Sequence, residues 1–514
     1  MSAQPRGDDE FLTDVEHPDP LGALPPDLEN ERKKLEEIFT VDTATLQRIT
    51  ERFGQELQQE YRMIGTVIIP EEPLLIVSKP MNITWVTSLP TGDETGTCIA
   101  LDLGGTNLRV CQVTLHGDSS DVQVIQERYE LPSKLKNGTS EELWSFIADS
   151  LQKFIQQHQI EPQDDGTLPL GFTFSYPATQ DRIDHGALQT WTKGWDIDGV
   201  EGQDNLPTKL VALTNDTTGA LIASKYKDPD TIIGAVFGTG CNAAYIEKIK
   251  NIPKMKLYAD SRGHEGDDDV MAINCEYGAF DNSHTVLPRT SYDEIIDRES
   301  PRPGEQTFEK MSAGLYLGEI FRQVVVDMWR RGVIFESGSD SEEHDTEVDG
   351  IGNTSNHNDV RKETKKKSID EPYIIDTGFL SQIENDQPDG LIESRKLFTE
   401  QLCLPDSDYG TRLLSPTPGE LLLMRHVAQL IAIRGARLCV CGVSAICRRL
   451  GVESGHVAAD GSVAIKHPHF QKRWEVAVAE VLGLERGKIK LTGAEDGSGI
   501  GAAVITALTM SKRG

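Results

Sequence analysis

Two distant segments of this chain share one pattern, in which an apolar strand leads through a glycine-containing turn into a second apolar strand. Residues 97–115 are TCIALDLGGTNLRVCQVTL and residues 231–247 are TIIGAVFGTGCNAAYIE. The apolar and β-branched runs on either side of each turn predict two β-hairpins. Because the pattern does not recur at a short regular period, it does not predict a solenoid. It favours a duplicated unit, with one hairpin in each of two lobes.

The length and charge of the chain limit the fold classes and the binding partners that are possible. Its 514 residues are enough for several domains, or for one large two-lobed α/β protein with a sizeable core. Its formal net charge of −31 repels phosphate backbones and anionic lipid surfaces. We therefore expect no nucleic-acid or membrane partner, and an anionic cofactor would need a local site of backbone N–H groups or a metal ion.

Three further features predict a protein of the cytoplasm. The eight cysteines show no disulfide framework, which indicates a reducing compartment. The start of the chain is acidic and proline-rich, without the basic and apolar regions of a secretory signal. No apolar run reaches the ~18 residues that a membrane span needs.

Local composition predicts where folded structure begins and is interrupted. Residues 1–29 are predicted to be disordered, and residues 30–62 are predicted to form two helices. Residues 336–370 combine charged and small polar residues without a hydrophobic period. This composition predicts a disordered surface insertion.

Several glycine turns could hold the phosphates of a nucleotide. In the first hairpin, Asp102 ends a strand and could hold a hydrated Mg²⁺, while Gly104 and Gly105 let the backbone approach a ligand closely. Taken alone, this turn is equally typical of an ordinary hairpin. The other candidates are FGTGC (237–241), CGVSAIC (441–447), which we interpret as a strand followed by a glycine and a helix start, AADGSV (458–463) and AEDGSGIGAA (494–503). Together they favour a nucleotide held between two lobes.

A second group of motifs places polar side chains at predicted strand ends. Asp216, in VALTNDTTGA, follows a buried strand, where a carboxylate is costly unless it has a partner or a use. Glu276 or Glu309 alone could be a paired core carboxylate or a charge in a first helical turn. A gathering of short donors and acceptors suits a polyhydroxylated ligand such as a sugar, whose hydroxyls each need a partner. The members are Ser175, Thr192, Lys193, Asn215, Asp216, Glu276 and Glu309.

Nine motifs, in one order, carry a resemblance to a known family. They are LDLGGTNLRV, LGFTFSYPATQ, WTKGWDIDGVEG, LTNDTTG, FGTGCNAAY, INCEYGAFDN, SPRPGEQTFEKMSAGLYLGE, GHVAADGSV and AEDGSGIGAA. From about residue 30 to residue 509, apart from the segment 336–370, the chain resembles the hexokinase family. The resemblance is strongest to the fungal hexokinases and glucokinases.

The resemblance implies an actin-like ATPase (ribonuclease H-like) fold, in which two α/β lobes surround a cleft that closes on glucose. It implies phosphoryl transfer from ATP, with Mg²⁺, to the 6-hydroxyl of D-glucose or another hexose. Asp216 matches the catalytic base, and Lys193 is assigned to catalysis with it. The implied sugar-binding residues are Ser175, Thr192, Lys193, Asn215, Asp216, Asn242, Glu276 and Glu309. The implied nucleotide-binding residues are Asp102, Leu103, Gly104, Gly105, Thr106, Asn107, Arg109, Gly238, Thr239, Gly240, Gly442, Ser444, Asp496, Gly497 and Ser498.

The same resemblance implies how the chain divides. Residues 30–90 would be a helical part of the large lobe, 91–225 the small lobe, 226–490 the large lobe, and 491–514 a C-terminal helix that returns to the small lobe. The protein would be a monomer or a homodimer. Two alternatives stay open, namely a sugar-sensing or regulatory relative with little catalysis, and a chaperone- or actin-type ATPase of the same fold.

One connection is shorter than the family pattern. Where the family has a helix and the start of a strand, this chain has QDNLPTKL at residues 203–210. An extended link of that length can still join the two elements, although a parallel crossover usually contains a helix. We expect the strand before Asp216 to lose cover on one face.

Overall fold

The structure is a computed structural model, and it divides the chain into two compact units. One comprises residues 1–40 and 316–432, and the other comprises residues 41–315 and 433–514. Both predicted hairpins lie in the second unit, whereas the sequence did not set residues 316–432 apart as a unit of their own. The residues described are 24–62, 82–162, 166–189, 191, 195, 197, 200, 210–252, 255, 269–335, 366–386, 390–405, 411–494 and 496–513.

The strands and helices are numbered here in chain order. The strands are β1 (Asn82–Ile83), β2 (Thr95–Leu103), β3 (Asn107–His116), β4 (Val122–Glu130), β5 (Leu170–Phe174), β6 (Ala178–Arg182), β7 (His185–Leu188), β8 (Ala212–Thr214), β9 (Thr231–Phe237), β10 (Cys241–Lys248), β11 (Val270–Asn274), β12 (Lys367–Ser368), β13 (Leu402–Pro405), β14 (Thr411–Leu413), β15 (Gly455–Asp460) and β16 (Ile489–Gly493). The helices are α1 (Pro26–Phe39), α2 (Thr43–Arg62), α3 (Ser140–His158), α4 (Asp216–Lys227), α5 (Ser291–Glu299), α6 (Thr307–Ser312), α7 (Gly314–Arg330), α8 (Thr377–Asn385), α9 (Ile392–Lys396), α10 (Pro418–Leu450), α11 (Ser462–Lys466), α12 (Phe470–Leu482) and α13 (Gly497–Arg513).

The first predicted hairpin lies within a five-stranded sheet with the order β4-β3-β2-β5-β8. Strands β2 and β3 pair antiparallel up to Leu103 and Leu108, which leaves the glycines in the turn. Strand β4 is antiparallel to β3, while β5 and β8 continue in parallel beside β2. Because the ends of parallel strands meet at one edge, the residues after β5 and β8 lie near the glycine turn.

The second predicted hairpin lies within a six-stranded sheet with the order β1-β11-β10-β9-β15-β16. Strands β9 and β10 pair antiparallel, starting from Phe237 and Cys241. Strand β11 is antiparallel to β10, and β15 and β16 run parallel to β9. Without β1, the order and the strand directions repeat those of the five-stranded sheet. This repetition confirms the duplicated unit that the two hairpins predicted.

Helices α4 and α13 pack with their backbones in direct contact. A Cβ atom added at Gly501 would lie 2.2 Å from the carbonyl oxygen of Gly219, and one added at Gly219 would lie 3.0 Å from the carbonyl oxygen of Gly497. Helix α13 also packs on β2 and β5, and α4 packs on β9. The C-terminal helix thus returns to the strands of the first hairpin, and the helix pair joins the two sheets.

Helix α10 corrects one prediction. Residues 441–447 were interpreted as a strand followed by a glycine turn, but a single helix of 33 residues runs through them. Among the described residues this is the one helix long and apolar enough to cross a membrane, and 94% of its most apolar stretch is buried within the protein. The sequence predicts a helix only over residues 418–437, because a helix that is buried on all sides has no amphipathic period to show that it continues.

Two segments that were predicted to be disordered contain secondary structure at one end. Helix α1 begins at Pro26, inside the predicted disordered segment 1–29, because proline is well suited to the first position of a helix. Residues 366–370, at the end of the predicted insertion, contain β12, which pairs in parallel with β13. This strand has two polar residues and no hydrophobic period that could reveal it. The rest of the insertion, 336–365, lies outside the described residues.

Strand β8 keeps cover on both faces, so the expected loss of cover is wrong. Ala212 packs in a core cluster with α13 residues such as Ile500, and Leu213 packs in a second cluster with Phe172 and Trp191. The aromatic residues of the segment before the short connection supply part of this cover. Of the connection 203–210 itself, all but Leu210 lies outside the described residues.

Candidate active site

Asp216 is the first residue of α4 and follows β8 directly. Asn215 caps the helix, because its side-chain oxygen accepts a hydrogen bond of 2.9 Å from the backbone N–H of Thr217. The same N–H lies 2.8 Å from Asp216 Oδ1. The helix N-terminus favours a negative charge at this position. The carboxylate is therefore held at the start of a packed helix rather than on a loop.

A network of amide side chains connects this helix start to strands β10 and β11. Asn274 Oδ1 accepts a hydrogen bond of 2.8 Å from Asn242 Nδ2 and lies 3.1 Å from Thr217 Oγ1. Asn274 Nδ2 donates a hydrogen bond of 2.7 Å to Glu276 Oε1, which is also 3.3 Å from Asn242 Nδ2. Thr217 Oγ1 is 2.7 Å from Asn215 Oδ1. The buried Asn274 thus fixes the positions of several polar groups at once.

Glu309, on the short helix α6, meets the glycine turn of the second hairpin. Its Oε2 accepts a hydrogen bond of 3.1 Å from the backbone N–H of Cys241. A Cβ atom added at Gly240 would lie 2.7 Å from this same carboxylate oxygen, and one added at Gly278 would lie 2.7 Å from Gln306 Oε1. The two glycines therefore leave the space that these side chains need.

These groups line one polar cleft. Six of the predicted sugar-binding residues meet there, namely Ser175, Asn215, Asp216, Asn242, Glu276 and Glu309. The other two, Thr192 and Lys193, lie outside the described residues. The remaining lining residues are Pro177, Val236, Gly240, Cys241, Gly278 and Gln306.

Sequence reasoning missed Gln306, which lines the cleft, and two residues of the hydrogen-bond network beside it, Asn274 and Thr217. Asn274 lies in the alternating pattern INCE and looks, in the sequence, like an ordinary polar residue of a strand. Thr217 looks like an ordinary residue of a first helical turn. Gln306 has a positive φ of 54°, which no local pattern reveals, and it directly precedes α6. The one available signal was the repetition of amide and hydroxyl residues around Asp216 and Glu276.

Arg109 contacts predicted nucleotide-binding residues from two distant chain segments. From strand β3 its guanidinium lies 3.1 Å from Asp102 Oδ2 and 3.3 Å from Ser498 Oγ. It also forms an ion pair with Asp496, which precedes α13 and has a positive φ of 50°. The structure therefore brings together Asp102, Arg109, Asp496 and Ser498, which are four predicted nucleotide-binding residues from two distant parts of the chain.

The two hairpin turns are held in different ways. The carbonyl of Gly104 accepts a hydrogen bond of 3.1 Å from Tyr176, and that of Gly105 accepts one of 3.2 Å from the indole of Trp195. Thr106 and Asn107 are exposed at the tip of this turn. In the second hairpin, Gly238 donates a hydrogen bond of 3.0 Å to the carbonyl of Gly240, and Thr239 is exposed.

The second turn meets the AADGSV turn, a candidate glycine turn whose individual residues were given no role from the sequence. A Cβ atom added at Gly238 would lie 3.1 Å from the Cα of Gly461 and 3.4 Å from the nitrogen of Ser462. Gly461 has a φ of 107° and follows Asp460, at the end of β15. The AADGSV turn is therefore part of the same backbone cradle, with α11 starting at Ser462.

Three predicted nucleotide-binding residues lie elsewhere. Ser444 is fully buried inside α10, and a Cβ atom added at Gly442 would lie 2.8 Å from the ring of Tyr277. Both residues are therefore closely packed within the protein, and their part in nucleotide binding stays a prediction. Leu103 is also fully buried, and its carbonyl accepts a hydrogen bond of 3.4 Å from the backbone N–H of Ser175. Leu103 therefore belongs to the sheet.

The aspartates of the nucleotide side carry more negative charge than Arg109 balances. Burial raises the pKa of Asp102 above its ordinary value, although Arg109 opposes this. Burial also raises the pKa of Asp460, and the charge of Asp216 adds to that effect although the Gly461 N–H opposes it. Closely spaced carboxylates raise one another's pKa, and a divalent cation would reverse the effect.

The duplicated sheets and the carboxylate-lined cleft define a sugar kinase with the actin-like ATPase fold. Two sequence models of the hexokinase family match this chain, over residues 31–226 and residues 232–508. The chain therefore belongs to the hexokinase family. It is an enzyme that transfers a phosphoryl group to a hexose hydroxyl.

Individual relatives agree with this assignment. The chain is 47% identical to a hexokinase of Emericella nidulans over 509 residues, covering 96% of this chain and 93% of the relative. It is 42% identical to Hexokinase-2 of Saccharomyces cerevisiae over 514 residues, covering 96% and 94%. A solved structure of Schistosoma mansoni hexokinase with glucose is 28% identical, with a TM-score of 0.75 over 94% of this chain and 99% of that one.

Proposed function

We propose that this enzyme phosphorylates D-glucose and other hexoses at the 6-hydroxyl, with ATP as the phosphoryl donor and Asp216 as the catalytic base. One observation carries the proposal. Asp216 stands at the start of α4 and lines the same cleft as Asn215, Asn242, Glu276 and Glu309. This arrangement provides a base together with several hydrogen-bonding partners for the hydroxyls of a sugar. The resemblance to glucose-binding relatives supports the choice of sugar.

In the proposed reaction, Asp216 accepts the proton of the 6-hydroxyl. The hydroxyl oxygen forms a bond to the γ-phosphorus as the bond between that phosphorus and ADP breaks, which gives hexose 6-phosphate. Because such transition states are largely loose, most of the rate enhancement comes from positioning and charge stabilisation. A positioned base contributes about 10²–10⁴-fold. The family resemblance assigns Lys193 a part in catalysis, and that assignment stays a prediction.

The aspartate cluster suits ATP bound as its Mg²⁺ complex. A chain with a net charge of −31 repels free ATP, and the raised pKa values of Asp102 and Asp460 indicate a site that would gain from a cation. Asp102, Asp460 and Asp496 are the residues that would hold Mg²⁺, mainly through water, and the ion would neutralise phosphate charge. Within the described residues no three acidic, cysteine or histidine side chains form a metal cage, which fits an ion that keeps water and phosphate ligands.

The residues that would contact the phosphates are those of the two hairpin turns, the AADGSV turn and the start of α13. They are Gly104, Gly105, Thr106, Asn107, Gly238, Thr239, Gly240, Gly497 and Ser498, with Ser462 added from the structure. Backbone N–H groups in such turns and at a helix start can bind phosphate oxygens. We expect the enzyme to act in the cytoplasm as a monomer or a homodimer.

One assay tests this proposal against its alternatives. ADP production from MgATP is measured with glucose, fructose, mannose and no sugar, and glucose binding is measured by calorimetry. Sugar-dependent ADP production is expected, and the rates with the three sugars give the specificity. Glucose binding without turnover would instead indicate a sugar-sensing protein, and ADP production that does not depend on sugar would indicate an ATPase of the same fold.

Replacing Asn274 with aspartate is expected to weaken glucose binding. The substitution keeps the shape of the side chain, but it removes the donor to Glu276 and places a second carboxylate beside it. A buried carboxylate that loses its donor costs about 1–3 kcal/mol, which corresponds to roughly 5- to 150-fold in the dissociation constant. Calorimetric titration with glucose measures the effect.

Asn251→Asp is the matched control. Asn251 Nδ2 donates a hydrogen bond of 2.8 Å to Glu247, which is the same kind of amide–carboxylate contact outside the cleft lining. This variant should bind glucose like the unaltered protein. Equal binding by the Asn274→Asp variant would show that the network does not set the position of Glu276.

A further inference from the structure

Helix α5 carries two buried carboxylates one turn apart, and each pairs with a different buried cation. Asp293 is joined to Arg434 by hydrogen bonds of 2.7 and 2.8 Å. Asp297 is joined to Lys310 by a hydrogen bond of 2.7 Å. Lys310 is 5% exposed and Arg434 is 1% exposed. The two pairs are therefore similar in chemistry and burial, and they differ in what else they contact.

The pair of Lys310 and Asp297 holds the loop that leads to the cleft. Besides Asp297, Lys310 Nζ donates a hydrogen bond of 2.7 Å to the carbonyl of Arg302. Asp297 Oδ1 also accepts a hydrogen bond of 3.0 Å from the backbone N–H of Gly304, which has a φ of 81°. One ammonium and one carboxylate thus fix two points of the loop between α5 and α6.

That loop delivers two side chains to the cleft. Gln306, which has a positive φ, ends the loop, and its carbonyl accepts a hydrogen bond of 2.9 Å from the backbone N–H of Lys310. Glu309 directly precedes Lys310 on α6 and bonds the backbone of Cys241. Helix α6 has six residues, so contacts outside the helix must fix its direction.

We propose that Lys310 is a positioning residue of the sugar site, acting through Asp297 and the loop carbonyl of Arg302 to hold Gln306 and Glu309 in place. The inference rests on the proposed function, because it takes a sugar as the ligand of Glu309. Lys310 does not line the cleft. Its loss would therefore misplace ligands without removing any of them, and displacements of about 1 Å are enough to cost up to 10²-fold in rate. The hydrogen bonds of the other pair join Asp293 on α5 to Arg434 on α10.

The test compares Lys310→Met with Arg434→Met. Thermal unfolding, the calorimetric dissociation constant for glucose, and the KM values for glucose and MgATP are measured on both. Breaking either buried pair should lower the unfolding temperature. Lys310→Met should raise the glucose dissociation constant and KM about 10-fold or more, with little change in the KM for MgATP. Arg434→Met should leave both glucose constants near those of the unaltered protein.

Two milder variants keep the test decisive if Lys310→Met does not fold. Lys310→Arg retains the cation and should recover most of the glucose affinity, whereas Asp297→Asn keeps the shape of the carboxylate and should reproduce a weaker form of the defect. Unchanged glucose constants in a folded Lys310→Met or Asp297→Asn variant would overturn the inference, as would an equal rise in Arg434→Met. Failure of the unaltered protein to bind glucose would refute the proposed function instead.

Discussion

Asp216→Ala is expected to lower kcat by about 10²–10⁴-fold while the protein still binds glucose. The cap of α4 comes from Asn215, so the helix start survives the loss of the Asp216 side chain. The network through Asn274 also contains no atom of Asp216. The variant should therefore lose the proton acceptor and keep most of the hydrogen-bonding groups for the sugar. Sugar-dependent ADP production measures kcat, and calorimetry measures glucose binding.

Asp230→Ala is the control for the loss of one negative charge. Asp230 is exposed, follows the far end of α4 and does not line the cleft. Its alanine variant should keep kcat and glucose affinity. Near-normal kcat in a folded Asp216→Ala variant would refute the role of Asp216 as the base. A large loss of glucose binding there would instead assign Asp216 to sugar binding as well.

The sequence predicted those parts of the site that lie at the ends of strands. Glycine turns and a polar residue after an apolar run are local patterns, so Asp102, Asn215 and Asp216 could be found without the fold. The repeated hairpin also predicted the duplicated sheets, because each hairpin forms from adjacent segments. Residues that act through long-range contacts had no such signal. Asn274 and Lys310 look like ordinary residues of a strand and a short helix.

The errors have a physical cause as well. CGVSAIC combines a glycine with small residues, which is typical of a turn, yet α10 is a helix in which Gly442 makes room for the ring of Tyr277. Small residues allow a ligand or another part of the protein to approach closely. The sequence alone does not show which of the two lies beside them. For the same reason, the sequence could not show that the AADGSV turn lies against Gly238.

Gly501→Ala is expected to destabilise the fold by more than the ~1–3 kcal/mol that is typical of overpacking, and to lower kcat. The added methyl group would lie 2.2 Å from the carbonyl oxygen of Gly219 and 2.5 Å from its Cα. Both are backbone atoms of α4, so no side chain can rotate to relieve the contact. Helix α4 or α13 must move, and a movement of α4 displaces Asp216, which is its first residue and the proposed base. Denaturant unfolding and the glucose-dependent rate measure the two effects.

Gly54→Ala is the control, because it makes the same change inside helix α2, where no atom lies within 4 Å of the added methyl group. There the smaller entropy of the unfolded chain should raise the free energy of unfolding by about 0.4–1 kcal/mol, with no change in kcat. The opposite signs of the two glycine-to-alanine substitutions separate helix propensity from helix contact. A Gly501→Ala variant that is stabilised and fully active would contradict the prediction. It would show that α4 and α13 can separate at no cost and that the position of Asp216 does not depend on their packing.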